Sequence, residues 1–144
     1  MSTGEREHGE RMIDRLDHLV LTTAHPEACI DFYTRVLGMT LERFGASATL
    51  PQGRLALRFG RQKINVHVKG AEFQPHAHLP VPGALDLCFI VSQPLDEVIA
   101  RLSSLGVPIV EGPGPRTGAC GPIRSIYLRD PDLNLIELSE YPRG

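Results

Sequence analysis

The chain has little net charge, few cysteines and no long apolar run, and each absence excludes a class of function. Among 144 residues, 15 Lys and Arg stand against 17 Asp and Glu, for a formal net charge of −2. This balance supplies neither a basic field that attracts nucleic acid nor a polybasic patch for a membrane surface. We therefore expect neither a nucleic-acid partner nor a membrane partner.

The cysteines indicate where the protein works. Cys29, Cys88 and Cys120 are odd in number and share no close spacing. With no signal peptide and no membrane-spanning apolar run in the sequence, they indicate reduced thiols in a cytoplasmic protein. Cys88 lies in a strand-like run and is predicted to be part of the core. Residues 1–12 are polar and aperiodic, which predicts a disordered leader, with Met12 as an alternative native start.

What the chain does have is an internal repeat. At an offset of 68 residues Pro26 falls on Pro94 and Gly38 on Gly106, without a gap. Each half contains an apolar strand, a helix begun by Pro and ended by Gly, and further strands. The first half is predicted to have strands at 16–23, 39–44 and 63–68, a hairpin within 48–59 and a helix at 26–37. The second is predicted to have strands at 84–91, 107–111, 124–129 and 134–139 and a helix at 94–105.

The pattern is therefore βαβββ twice, an α+β arrangement. Residues 13–144 are predicted to form one domain, made of module 13–70 and module 84–141 joined by an ordered connector, 71–83. The Gly- and Pro-rich segment 111–122 is predicted to be a lid or binding loop. It carries Arg116 and Thr117, which with Arg124 are candidates for holding an anionic part of a substrate. Solvated loop cations are an equally good interpretation.

Four polar residues in apolar strands are candidate metal ligands. His18 and Asp86 occupy the same place in the first strand of each half, and His67 and Glu137 nearly the same place in the last strand. A lone strand histidine is most often buried and satisfied by one hydrogen bond. A buried carboxylate, however, needs a cation or donors nearby. Because repeat-equivalent positions meet if the halves pack around a common axis, one divalent cation would account for all four.

Several motifs resemble the vicinal oxygen chelate superfamily, which includes glyoxalase I, bleomycin-binding proteins and extradiol dioxygenases. These are the opening at 13–20, the helix end at 32–39 and the closing segment at 127–137. The resemblance covers roughly residues 12–141. The chain is most similar to small stand-alone glyoxalase-domain proteins, among them virulence-associated bacterial ones. The resemblance implies a curved, mostly antiparallel eight-stranded sheet. It also implies a homodimer, with modules paired within one chain or exchanged between two.

The resemblance also implies a chemistry. The metal ligands would be His18, His67, Asp86 and Glu137, holding one divalent ion (Zn²⁺, Ni²⁺, Co²⁺ or Mn²⁺, with iron as an alternative). Two neighbouring oxygens of a small substrate would bind at the open metal positions, and Glu137 would be the proton-shuttling base. The expected activity is that of a glyoxalase I-like lyase or isomerase. A metal-free sequestering protein of the bleomycin type, a thiol transferase and an extradiol dioxygenase remain alternatives.

Two departures from the family pattern matter. Asp86 stands where histidine or another ligand is more frequent, so it binds the metal directly, through water, or not at all. Leu133 stands where the Asp-Pro-Asp turn usually carries Gly, and we expect Asn134 to take the positive φ instead. Tyr127 and Phe89 are predicted to pack in the core. His76 and His78 are predicted to belong to a surface connector rather than to a second metal site.

Overall fold

The computed structural model describes residues 11–143. The predicted leader therefore lies outside the described residues, apart from Arg11 and Met12. The first module contains β1 (His18–Thr23), α1 (Pro26–Asp31) continued by a π-helical turn (Phe32–Val36), β2 (Thr40–Phe44), β3 (Arg54–Phe59) and β4 (Gln62–Val68). The second contains β5 (Asp86–Ile90), α2 (Leu95–Ser104), β6 (Glu111–Gly118), β7 (Gly121–Arg129) and β8 (Leu135–Glu140).

The predicted βαβββ repeat and its eight strands are confirmed, and the strands are divided equally between two sheets. The strands form two four-stranded mixed sheets, ordered β1-β4-β3-β2 (sheet one) and β5-β8-β7-β6 (sheet two). In each sheet the first and last strands of the module pair in parallel, and the other pairs are antiparallel. The fold is α+β, and within residues 11–143 no helix is long and apolar enough to cross a membrane.

The prediction of a lid or binding loop at 111–122 is wrong. Residues 111–118 form β6, an edge strand that pairs with β7, with a register shift between Glu111 and Gly114. Proline cannot donate to a strand ladder, but an edge strand tolerates it. The Gly and Pro content that suggested a loop thus marks an irregular edge strand. The predicted strand at 107–111 is largely absent, since strand structure begins only at Glu111.

The turn before β8 also differs from expectation. Leu133 itself has the positive φ, 69°. Asn134 is fully engaged, because its backbone N–H and its Nδ2 donate to the Asp130 carboxylate at 2.9 and 2.8 Å, and its Oδ1 accepts from the backbone N–H of Leu85 at 2.8 Å. These bonds hold Asn134 at the start of the strand, so the exposed residue before it takes the left-handed conformation.

Both modules contribute to one hydrophobic core. One face of each sheet packs into the same cluster, in which Ile64 on β4 and Ile136 on β8 are completely buried. Polar contacts also join the modules: the Tyr33 hydroxyl donates to Asp130 Oδ2 at 2.7 Å, and Arg101 donates to the carbonyl of Val36 at 3.1 Å. Because the core takes one face of each sheet, the opposite faces remain available. They are called open face one and open face two below.

Candidate functional site

The strand register decides which open-face residues correspond in the two modules. Val20 pairs with Asn65 on sheet one, and Cys88, the repeat counterpart of Val20, pairs with Glu137 on sheet two. The counterpart of Glu137 is therefore Asn65, and the equivalence predicted for His67 is wrong by two residues. Strand faces repeat every two residues, so the alternation of side chains could not reveal the slip.

Open face one carries two neutral side chains, each with a buried polar atom that has no hydrogen-bond partner. His67 is buried, with 7% of its surface exposed, and its Nδ1 has no hydrogen-bond partner; the buried Oδ1 of Asn65 has none either. Burial, and then the nearby charge of Arg54, lower the pKa of His67 below its ordinary value, so the imidazole is neutral near pH 7. Neutral imidazole is the form that binds metal ions. His18 lies on the same face but is exposed, its Nδ1 2.8 Å from Asp17 Oδ1.

Open face two contains an acidic cavity of about 550 Å³. Asp86 and Glu137 line it together with Glu111, Arg116, Tyr127 and Arg129. The guanidinium of Arg116 is held in place, because it donates to the Tyr127 hydroxyl at 3.0 Å and to Glu111 at 3.3 Å. The cavity thus combines three carboxylates, two of them from the neighbouring strands β5 and β8, with two arginines, of which Arg116 is oriented by its hydrogen bonds.

A hydroxyl and thiol network lies under the Glu137 carboxylate. The Ser139 hydroxyl donates to Glu137 Oε2 at 3.3 Å and lies 2.6 Å from the Ser125 hydroxyl and 3.3 Å from Cys88 Sγ. Cys88 is exposed, which corrects the prediction that it belongs to the core. Partial desolvation of the sulfur, which lies against Ser139, is the main cause that raises the pKa of the thiol, so the thiol is protonated at neutral pH.

The four predicted ligands do not converge within one chain. Between residues 11 and 143, no three His, Cys, Asp or Glu side chains lie close enough together to hold a metal ion. Asp86 and Glu137 share a cavity, whereas His18 and His67 lie on the other sheet. The prediction that all four are buried is also wrong, because His18 and Asp86 are exposed and Glu137 is half-buried.

The predicted substrate residues separate in the same way. Arg116 lines the cavity, but Arg124 donates to Asp96 at 3.0 Å at the start of α2, and Thr117, exposed on β6, does not line it. Tyr127 forms part of the cavity wall instead of packing in the core. Its alternation with the buried Ile126 could have indicated this, because neighbouring residues in a strand face opposite sides.

Two further predictions concern aromatic and histidine residues. Phe89 packs against the core, as predicted, and its ring lies edge-on to that of Phe59 from the other module, with centroids 5.4 Å apart. In the connector, His76 is exposed, and its ring nitrogens lie 3.2 Å from Gln74 Nε2 and 2.8 Å from the carbonyl of Ala77. His78 is exposed as well.

The model of the Glyoxalase/Bleomycin resistance protein/Dioxygenase superfamily matches residues 15–138. The chain belongs to this superfamily. The resemblance drawn from the sequence motifs is thereby confirmed, and the match spans both modules and the connector.

Two relatives are half identical to the chain. The glyoxalase domain-containing protein RDO1 of Mycosarcoma maydis is 51% identical over 137 residues, covering 95% of this chain and 74% of that protein. Virulence protein STM3117 of Salmonella typhimurium is 51% identical over 132 residues, covering 92% of this chain and 88% of that protein. The crystal structure of STM3117 has a TM-score of 0.85 and covers 91% of this chain and 99% of that one.

Solved structures of lower sequence identity share the fold alone. Lactoylglutathione lyase from Agrobacterium tumefaciens is 22% identical, with a TM-score of 0.66 over 89% of this chain and 94% of that one. TnmS3, an antibiotic binding protein from a Streptomyces species, is 22% identical, with a TM-score of 0.67 over 91% of this chain and 98% of that one. One fold therefore serves both an enzyme and a binding protein, so the function has to be argued from the open faces.

Proposed function

We propose that the protein is a metal-dependent, glyoxalase-like lyase or isomerase that acts on a small substrate with two neighbouring oxygen atoms. The observation that carries this proposal is the cavity in which Asp86 and Glu137 face the oriented guanidinium of Arg116. Paired carboxylates beside a fixed cation suit proton transfer at a carbon whose neighbouring oxygen gains negative charge.

The residues present fit a divalent ion such as Zn²⁺, Ni²⁺, Co²⁺ or Mn²⁺. His18, Asp86 and Glu137 supply one imidazole and two carboxylates, and the fourth donor comes from β4. The strand register favours Asn65 for that donor, whereas burial and neutral charge favour His67. Both have a buried polar atom without a partner. When bound, the ion would supply Lewis-acid stabilisation of the developing oxyanion.

The chain's own side chains have separate tasks in this proposal. Glu137 is the base that moves a proton at the carbon next to the substrate carbonyl, and the Ser139 hydroxyl, 3.3 Å away, orients its carboxylate. Arg116 binds an anionic part of the substrate, and its bonds to Tyr127 and Glu111 restrict its rotamers in advance. Such preorganisation reduces the entropy lost when substrate binds.

The site is completed by a second copy of the chain. In one chain the imidazoles and the carboxylates lie on different sheets, so they meet only if open face one of one copy packs against open face two of another. Apolar side chains on these faces support such packing, since Val20 is 42% exposed and Ile90 53% exposed. We therefore propose a homodimer with modules paired between chains.

Mixed dimers test this arrangement. His18→Ala subunits and Glu137→Ala subunits, each with its own affinity tag, are inactive alone but form a mixed dimer that contains one intact site. We expect that dimer to regain metal binding, measured by elemental analysis after tandem purification. A matched control combines His18→Ala subunits that carry the two different tags. Every site then lacks the same imidazole, and metal binding remains impaired. Recovery in neither mixture, or a monomer in sedimentation analysis, contradicts the shared site.

Activity is tested separately from assembly. The metal-loaded protein is assayed on hemithioacetals, acyl-CoA epimers and catechols, and on fosfomycin with a thiol. Turnover of a hemithioacetal supports the lyase, and turnover of an acyl-CoA epimer supports the isomerase. If none of these substrates reacts, the enzyme proposal fails even where the mixed dimer binds metal.

The alternative is a protein that sequesters a small molecule. It is favoured by the cavity wall itself, because Arg116, Tyr127 and Arg129 can hold an anionic or aromatic ligand without a metal ion. Chelator-treated and metal-loaded protein would then bind the ligand with equal affinity. A loss of affinity on chelation favours the enzyme.

A further inference from the structure

Open face one contains an arginine whose charge is not neutralised. Arg54, at the start of β3, forms no side-chain hydrogen bond or ion pair with any residue in 11–143, and its guanidinium carbon lies 4.1 Å from the ring centre of Phe73. Arg58, on the same face four residues later, donates instead to Glu42 at 2.6 Å. The two arginines differ in what they leave available: Arg58 is paired, and Arg54 keeps its N–H groups free.

The stacking of Arg54 on Phe73 favours a ligand in the plane of the guanidinium. Contact with an aromatic face occupies the flat side of the group and leaves its edge, which carries the N–H donors. That edge matches two oxygens of a carboxylate or phosphate group. The nearby Glu72 carboxylate does not take this place, since it accepts from the backbone N–H of Gly70 at 3.1 Å.

His67 supplies a second, independent indication. Arg54 precedes Leu55, which pairs with Val66, so Arg54 and His67 are cross-strand neighbours on open face one. The imidazole is 7% exposed, lies edge-on to Phe73 with centroids 5.5 Å apart, and has an unpartnered Nδ1. A buried polar side chain without a partner is costly unless a ligand or water completes its bonding.

We propose that Arg54, His67 and Phe73 form a subsite for an oxyanion, a carboxylate or phosphate group at the end of the substrate away from the reacting oxygens. The subsite lies two residues along β4 from Asn65, which the strand register favours as the metal donor, on the face proposed to meet Glu137 of a second copy. The inference thus deepens the proposed function and rests on it for the identity of the ligand as substrate. Arg54 and Arg116 would then hold two anionic groups, one on each sheet.

Oxyanion binding is measured on the metal-free full-length protein, so the result does not depend on turnover. Inorganic phosphate and succinate are titrated separately while the Nε–H signal of Arg54, assigned by its loss in Arg54→Lys, is followed by ¹⁵N NMR. We expect a saturable shift with at least one probe, and the tighter probe identifies the class of oxyanion. Arg54→Gln should weaken that binding about tenfold or more, because a charge-assisted bidentate contact is lost.

Arg58→Gln is the matched control, since it removes the same charge from the same strand and face. It should change oxyanion affinity less than twofold. Equal losses in both variants would mean a general field effect and overturn the subsite, as would an unsaturable response of the wild type or an unchanged affinity in Arg54→Gln. His67→Asn is a second variant that leaves the arginines in place: a weakened oxyanion affinity with an unchanged melting temperature supports the subsite, and an unchanged affinity overturns it as proposed.

Discussion

The two open faces of the protein differ far more than the two core faces do. Towards the core, β4 and β8 present aliphatic residues at matching positions, such as Ile64 and Ile136. On the open faces, the neutral Asn65 of sheet one corresponds to the acidic Glu137 of sheet two. Close packing restricts the core positions to apolar groups of similar volume, whereas the open positions carry no such restriction. The two modules therefore have the same strand arrangement and core positions, whereas the polar side chains on their open faces differ.

The largest expected effect concerns the acidic face. Glu137→Gln should reduce kcat by about 10²–10⁴-fold, because the proposed base can no longer accept a proton. The measurement is steady-state kinetics on the substrate that the panel identifies, with saturating metal throughout. Full recovery of the rate at high metal concentration would mean that Glu137 only balances the charge of the ion.

The next largest effect concerns Asp130, whose hydrogen bonds join the two modules. The buried Asp130 accepts hydrogen bonds from the Tyr33 hydroxyl, from both nitrogens of Asn134 and from the backbone of Asp132. Asp130→Ala leaves these donors without an acceptor, so the free energy of unfolding should fall by about 3 kcal/mol or more, as measured by urea denaturation. The exposed Asp14→Ala is the control and should change it by less than about 0.5 kcal/mol. Similar small losses in both would show that Asp130 does not join the modules.

A third experiment sharpens the comparison of β4 with β8. If the ligand position follows the strand register, Asn65→Ala should weaken metal binding about tenfold or more, and more than His67→Ala does. Titration with Zn²⁺ and Ni²⁺ in competition with a chelator measures both affinities. The reverse order assigns the fourth donor to His67, as the sequence suggested, and unchanged affinity in both variants removes β4 from the metal site.

The smallest expected effect is the pH dependence that His67 contributes. Its folded pKa is lowered by burial, so the unfolded chain binds a proton more readily than the folded one. Stability is therefore fully present above the ordinary pKa of about 6.5 and falls as the pH drops below it towards the folded pKa, with a slope of at most about 1.4 kcal/mol per pH unit. His67→Gln should flatten this part of the curve, measured by urea denaturation between pH 7 and 5. The exposed His76→Gln should not. Equal curves for His67→Gln and wild type would contradict the burial argument.

Much of the fold was predictable from local patterns. The alternation around Ile64 and Ile136, the prolines at the helix starts and the glycines at their ends predicted the βαβββ repeat. Gly38 and Gly106 indeed have positive φ, 80° and 70°. Local patterns failed where the chain is irregular: the Gly- and Pro-rich β6 was predicted as a loop, because edge-strand pairing depends on β7 rather than on its own composition.

The candidate site was predictable only in part. His18, Asp86 and Glu137 stand out as polar residues in apolar strands, and Arg116 as a loop cation. Asn65 was missed because an uncharged amide inside a strand does not indicate a function by itself. Tyr127 was predicted in the core because an aromatic residue in an apolar strand most often packs there. Arg54 was missed because its significance depends on Phe73, which belongs to the connector rather than to the strands.

The sequence by itself determined the duplicated α+β frame and the set of residues able to do chemistry, since both follow from side-chain type and period along the chain. Tertiary structure alone decided the pairing register, the division into two sheets and the separation of imidazoles from carboxylates. These depend on hydrogen bonds and packing between segments far apart in the chain. A slip of two residues leaves the alternation of a strand unchanged. It nevertheless makes Asn65, instead of His67, the residue of module one that is equivalent to Glu137 of module two.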